Sequence, residues 1–418
     1  MSELNDLKEF KYGWPVVLSS GMGIGLGMSP LPFYTLGVFV APFMKEFGWK
    51  VDQIMLAFAV LSLTAMFTAP AVGYLSDRFT ARKVVLISVV TFALSFMAFA
   101  FNNGSHWLYL GLYILLAVFG SGTLPVTWTK TVNRWFIKKR GLALGLSLLW
   151  TGLFGAFAKQ YASYFIQNYD WRTAYIALGA LPLIIVLPLA YFFFRDTSDP
   201  KVADKVSRMK NDLSYYQDHS EKVMPGMELS EALKSYKFWI LALSFVPISI
   251  AIGGPIPNFE TILGVKEFSV TEAVNAASFL GVAVVVGRLG GGYLIDKFWA
   301  PAVAFIIFMF PIIACYLFQL DDLSYTNAYL AVGLIGLAAG VEYDLMAFFV
   351  SKYFGLKNYG AIYGALYGFF AIGAGFGPWI FAKIYETTGS YNPAFGYAMI
   401  AFIVGAIPFL FLGKYQYD

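Results

Sequence analysis

Twelve stretches of this 418-residue chain are apolar. Each runs for about 20 residues, the length that crosses the hydrocarbon core of a bilayer. They fall at 14–40, 54–75, 84–101, 107–133, 141–166, 171–194, 237–262, 272–295, 300–319, 327–351, 359–384 and 392–413. In lipid every backbone polar group has to be satisfied within the protein, so such stretches are expected to be helices. The fold class that follows is an all-α polytopic membrane protein. Composition agrees, with 59% hydrophobic and only 13% charged residues, where soluble domains carry about 25% charged. The hydrophilic segment Met1–Lys11 precedes a long apolar stretch rather than the short core of a cleavable signal. The first stretch is therefore expected to be retained as a span.

Basic residues orient the spans. Lys8, Lys11, Arg78, Arg82, Lys83, Arg134, Lys138, Lys139, Arg140, Lys297, Lys352, Lys357 and Lys414 share one side, whereas Lys45, Lys50, Arg172 and Lys266 share the other. An excess of Lys and Arg marks the cytoplasmic side, so both termini are expected there. One long polar connection, 195–236, divides the chain into six spans at 1–194 and six at 237–418. Its mixed charges suit a solvated linker with some amphipathic helix. The halves repeat. Pro30-Leu31-Pro32 answers Pro255-Ile256-Pro257, Gly73–Phe79 answers Gly292–Phe298, and Val132–Phe136 answers Val350–Phe354, at separations of 225, 219 and 218 residues. With six spans each, the halves have the same orientation, a parallel repeat that places a site near the midplane between them.

Several function classes are excluded. The net charge of +4 is too small to argue for nucleic acid. Cys315 is the only cysteine, and the two histidines, His106 and His219, fall in polar connections, so no metal site or disulfide is expected. The sequence holds no zincin motif and no nucleophile elbow, which argues against an enzyme. Neither a strand nor a Gly-Lys-Ser/Thr sequence accompanies the glycine clusters of the first and eleventh spans. They are expected to serve close helix contact rather than a nucleotide.

Ionisable residues within spans are the functional candidates. Arg288 lies in an apolar run that closes eight residues later at Asp296. A guanidinium cannot lose its charge, so in hydrocarbon it needs a partner or an aqueous cavity, and an anion is the expected occupant. Lys130, Lys159 and Lys383 are the other intramembrane cations. Lys130 and Lys383 lie near span ends and can snorkel, whereas Lys159 is deeper. Glu342 and Asp344 lie in the tenth span. Two residues apart they point about 200° apart on a helix, so one is expected to face a cavity and exchange protons.

The motifs also resemble a known family. Gly73-x-x-x-Asp77-Arg78-x-x-x-Arg82-Lys83 looks like the signature loop of the major facilitator superfamily, with Thr80 where a glycine is usual. The resemblance implies gating by Gly73, Asp77, Arg78, Arg82 and Asp296, and the threonine implies a changed turn. Tyr12-Gly13-Trp14, Glu46-Phe47-Gly48-Trp49, Trp135-Phe136-x-x-Lys139-Arg140-Gly141 and Asp170-Trp171-Arg172 are similar to bacterial monocarboxylate porters, which include oxalate/formate antiporters. That likeness implies a carboxylate clamp at Arg288 and aromatic walls at Tyr34, Tyr343 and Tyr363, to which Trp128 and Trp150 are added here. Where the oxalate branch has a second lysine this chain has Leu366, which implies that one carboxylate is held rather than two, unless Lys159 supplies the second charge. The expectation is a monomeric secondary transporter of a small organic monocarboxylate in the bacterial cytoplasmic membrane, coupled to protons by Glu342 or Asp344, with no cofactor. The alternatives are a proton-coupled exporter of drugs or metabolites on the same fold and, more distantly, a membrane receptor or enzyme.

Overall fold

The structure, a computed structural model, describes residues 8–137, 139–213, 226–355 and 357–417. Among the described residues there are twelve helical spans and no strand. In order they are Lys8–Phe47, Val51–Ser76, Ala81–Phe101, His106–Trp135, Gly141–Asn168 and Trp171–Phe193, then Tyr236–Val265, Val270–Lys297, Ala300–Gln319, Tyr325–Phe354, Tyr359–Thr388 and Asn392–Phe411. They are called spans 1 to 12 below. The twelve apolar stretches thus all become spans, and the chain is an all-α polytopic membrane protein.

Spans 1 and 7 are broken at equivalent places in the repeat. Span 1 is a helix over Lys8–Gly25 and a second over Pro30–Phe47. Span 7 is a helix over Tyr236–Gly253, a single turn Ile256–Asn258 and a helix over Phe259–Val265. Both breaks fall at the repeated Pro-x-Pro. Proline lacks an N–H and is tolerated at a helix start but not in its interior. The freed backbone groups are satisfied by side chains, as lipid demands. Met28 N–H donates to Thr123 Oγ1 at 2.9 Å. Asn258 Nδ2 donates to the carbonyls of Gly254 at 2.8 Å and Pro378 at 3.0 Å.

Spans 4, 6, 8 and 10 each start on a side-chain cap, from Ser105, Asp170, Ser269 and Ser324. Ser269 and Glu272 form a capping box, each side chain accepting from the other residue's N–H. Asp170 accepts from Thr173 N–H at 2.6 Å, and that hydrogen bond holds its carboxyl below the usual range.

The repeat extends to matched hydrogen bonds. Trp135 Nε1 donates to the Arg195 carbonyl at 2.8 Å, and Tyr353 Oη donates to the Gly413 carbonyl at 2.9 Å. Donor and acceptor are both displaced by 218 residues between the halves, the offset already visible at Val132 and Val350. In each half an aromatic polar hydrogen ties the end of the fourth span to the backbone that follows the sixth.

The chain divides into two units, Met1–Pro32 with Phe67–Lys222, and Phe33–Met66 with Val223–Asp418. The first is built around buried Phe92, Phe96, Tyr109, Trp128 and Trp135. It also holds the start of the long connection, where the helix Ala203–Asp212 buries Val206 and Met209 and bonds through Asp212 to the Tyr12 hydroxyl. The second unit takes the C-terminal spans together with the later parts of spans 1 and 2. There Asp52 of span 2 pairs with Lys383 of span 11 at 3.1 Å, and Val51 N–H donates to Glu386 at 3.0 Å. Lys383, expected to snorkel, keeps 51% of its side-chain surface and meets the Asp52 carboxylate near the end of span 11. Lys138, His219 and the middle of the connection, 214–225, lie outside the described residues.

Candidate functional site

Spans 8 and 10 meet along a seam of glycines. A Cβ at Gly287 would lie 2.2 Å from the Leu337 carbonyl oxygen, and one at Gly340 would lie 2.3 Å from that of Val284 and 2.9 Å from Arg288 N. Gly291 and Gly336 are equally closed, against Val341 and Ala283. Small residues allow this backbone approach between membrane helices. The approach seats Arg288. Its Nε donates to the Gly340 carbonyl at 3.3 Å and lies 3.5 Å from Asp344 Oδ2, one turn further along span 10.

Arg288 keeps only 6% of its side-chain surface, and its Nη1 is buried with no hydrogen-bond partner. A buried donor left unpaired costs about 1–3 kcal/mol, more when charged. One edge of the fork is therefore engaged by the protein, and Nη1 faces no acceptor. Asp344 retains 25% of its side-chain surface, so the pair borders accessible space rather than sealed core. The Tyr34 and Tyr363 phenols lie within electrostatic reach of the guanidinium, and Tyr343 within reach of both phenols. The second unit thus brings together Arg288, Asp344, Tyr34, Tyr343 and Tyr363.

Glu342 is buried at 3% exposure, and its Oε1 has no partner. Among the described residues it makes no ion pair. The two acidic residues of span 10 are thus different groups, one facing a cation and accessible space, the other enclosed. Leu366 is fully buried in the hydrophobic core of the unit.

Lys159, Trp128 and Trp150 belong to the first unit. Lys159 is fully buried on span 5. Trp128 is fully buried too, donates from Nε1 to the Thr123 carbonyl at 3.1 Å, and lies flush on Gly23. Trp150 lies on Gly21 and Gly25. The glycines of span 1 are thus seats for two tryptophans, the close contact expected of them. Lys130 donates to Ser76 Oγ at 3.3 Å.

In the signature loop Gly73 faces open space, Arg78 lies 5.5 Å from the Phe79 ring, and Arg82 donates to the Tyr191 carbonyl at 2.6 Å. The side chain of Asp77 lies outside the described residues, and Asp296 is exposed at the end of span 8. Thr80 lies at the turn between spans 2 and 3. That residue has φ 80° and ψ 139°, a backbone region that belongs to glycine. The threonine is strained in it. Replacing Thr80 by Gly should stabilise the purified protein by about 1 kcal/mol, since such residues cost about 1–3 kcal/mol and glycine returns part of that as chain entropy. A thermal midpoint that stays put or falls would refute the strain.

Sequence reasoning missed two features. Tyr359 and Tyr367 flank Tyr363 at intervals of four and stack with it, with centroids 5.9 Å and 6.4 Å apart. The i, i+4 spacing was the available signal. The Asp52–Lys383 pair joins residues 331 apart, and nothing local announces it.

Residues 22–378 match the family described as Major Facilitator Superfamily, and the chain belongs to it. It is a multi-pass membrane protein of a transporter family and not an enzyme. Relatives include monocarboxylate transporter 12 of Xenopus laevis, 21% identical over 87% of this chain and 82% of that protein. "Probable sulfoacetate transporter SauU" of Cupriavidus necator is 23% identical over 89% and 88% of the two chains, and the benzoate transport protein of Acinetobacter baylyi is 21% identical over 84% and 79%.

Proposed function

We propose that this protein carries a small organic monocarboxylate across the bacterial cytoplasmic membrane together with a proton, by alternating access, with both termini in the cytoplasm. The observation that carries the proposal is the buried, unpartnered Nη1 of Arg288 beside Asp344. A guanidinium edge matches a carboxylate in shape and charge. Relatives named for monocarboxylate, sulfoacetate and benzoate transport support an anion of this kind.

Charge balance supports the proton. Arg288 and Asp344 compensate one another, so an arriving anion adds an uncompensated negative charge to a site of low dielectric. A proton delivered to Asp344 as the substrate takes over the guanidinium restores the balance. Glu342, enclosed and unpartnered at Oε1, is a second carboxyl able to hold a proton. On the side away from the termini, Asp52–Lys383 and Val51–Glu386 act as an outer latch within the second unit. On the other side Gly73, Asp77, Arg78, Arg82 and Asp296 would serve the inner gate. In the first unit, Lys159, Trp128 and Trp150 are the residues proposed to handle substrate.

The test is uptake into liposomes that contain only this protein. Labelled carboxylate should accumulate when the outside is acidified, and a protonophore should abolish the accumulation. Uptake indifferent to the proton gradient would rule out symport. A second reading, a proton-coupled exporter of cationic compounds, draws on Glu342. It predicts efflux of organic cations that Glu342→Gln abolishes and Arg288→Lys spares.

A further inference from the structure

The tyrosines of span 11 form a ladder. Tyr359, Tyr363 and Tyr367 follow one another at one-turn intervals, with near-parallel rings at interplanar angles of 14° and 20°. Tyr367 reaches Phe370 at 5.6 Å. Tyr343 of span 10 closes on the top of the ladder, 6.2 Å from Tyr367 and 4.8 Å from Phe370. The four tyrosines pack against the core of the second unit yet remain only partly buried. They therefore border accessible space, as Asp344 does. Tyr363 is the rung within electrostatic reach of both Arg288 and Asp344, so the ladder and the guanidinium share a neighbourhood.

Two properties of the ligand follow. The first is its charge. Arg288 is the one described cation of the second unit in mid-span; the unit's described lysines, buried Lys237 included, lie within two turns of a span end or in the connections. Once Asp344 has taken its proton, one guanidinium balances one carboxylate. The second is the shape of the uncharged part. Near-parallel rings at these separations overlap only partly and leave edges for a third group. Ring edges are the positive part of the aromatic quadrupole and attract the face of another ring. An alkyl chain gains nothing from that arrangement beyond contact area.

We infer that the preferred substrate is an aryl monocarboxylate, its carboxylate on Arg288 and its ring against the wall made by Tyr343, Tyr363 and Tyr367. This rests on the carboxylate-transport reading above and narrows it. Tyr343, Tyr363 and Tyr367 are then the residues that set specificity, and Arg288 sets only the charge.

The experiment uses the purified full chain and measures thermal stabilisation against concentration for three probes: benzoate, acetate and oxalate. Binding to the folded state raises the midpoint. Benzoate should act at a concentration about tenfold below that of acetate, because aromatic contacts add to area burial, and oxalate should be no better than acetate. Tyr367→Leu should weaken benzoate about tenfold while shifting acetate far less, and Tyr367→Phe should restore the preference. If Tyr367→Leu does not yield a monodisperse protein, Tyr363→Leu tests the adjoining rung. Acetate equal to benzoate in the unsubstituted protein, or a leucine variant that weakens both alike, overturns the aryl assignment and leaves the carboxylate reading in place. No stabilisation by any of the three overturns both.

Discussion

Arg288→Lys should yield a folded protein that has lost most carboxylate uptake. The positive charge remains, so the long-range field on an anion is little changed. The planar fork is lost, and with it hydrogen bonds to a charged partner worth about 1.5–3 kcal/mol each. Uptake at low substrate concentration should fall roughly 10- to 100-fold. Lysine also forfeits the Nε–H contact to the Gly340 carbonyl, which measures 3.3 Å. A modest drop in thermal midpoint is therefore expected beside the transport defect. Uptake within twofold of the parent protein would sink the assignment of Arg288 as the clamp. The opposite pattern, severe destabilisation with transport per folded molecule intact, would mark the Arg288–Asp344 pair as structural.

Asp344→Asn carries the second large expectation. Asp344 lies 3.5 Å from Arg288 Nε and competes with any incoming carboxylate for the same guanidinium. Removing its charge should tighten substrate binding about tenfold, as an internal competitor worth about 1.4 kcal/mol is lost. It should also abolish the rise in uptake as the outside is acidified, leaving exchange of labelled for unlabelled substrate intact. Retained acid stimulation would remove Asp344 from the coupling step and turn attention to Glu342→Gln. Breaking a buried ion pair is often destabilising by several kcal/mol. Binding and exchange therefore have to be normalised to the folded fraction.

Much of this architecture is legible without coordinates because the bilayer imposes strict rules. Apolar length alone marks the spans, and the repeat of Pro30-Leu31-Pro32 at Pro255-Ile256-Pro257 marks where two of them break. Arg288 stands out because a fixed charge in an apolar run has few explanations. Other features were hidden for physical reasons. The strain at Thr80 is one, because a backbone held at φ 80° is set by the helices on either side and not by the residue's own type. Tyr359 opens span 11, where an aromatic residue ordinarily signals the membrane interface. Its membership in a ladder appears only once the i, i+4 stack is seen. The division of labour between Glu342 and Asp344 depends on which face of span 10 meets span 8. Helical periodicity separates the two residues without saying which one meets the arginine.

The seam between spans 8 and 10 has a consequence for recognising other proteins of this kind. The guanidinium reaches its place because position 340 has no side chain, and even a methyl group there would collide with the backbone at Val284 and Arg288. A homologue that keeps the arginine but carries alanine or serine opposite it must hold its helices further apart and aim the fork elsewhere. The glycine and the arginine should therefore vary together. Searching genomes for the two together, 52 positions apart on neighbouring spans, should pick out carriers with this guanidinium seat, where the arginine alone would also collect those with a different one.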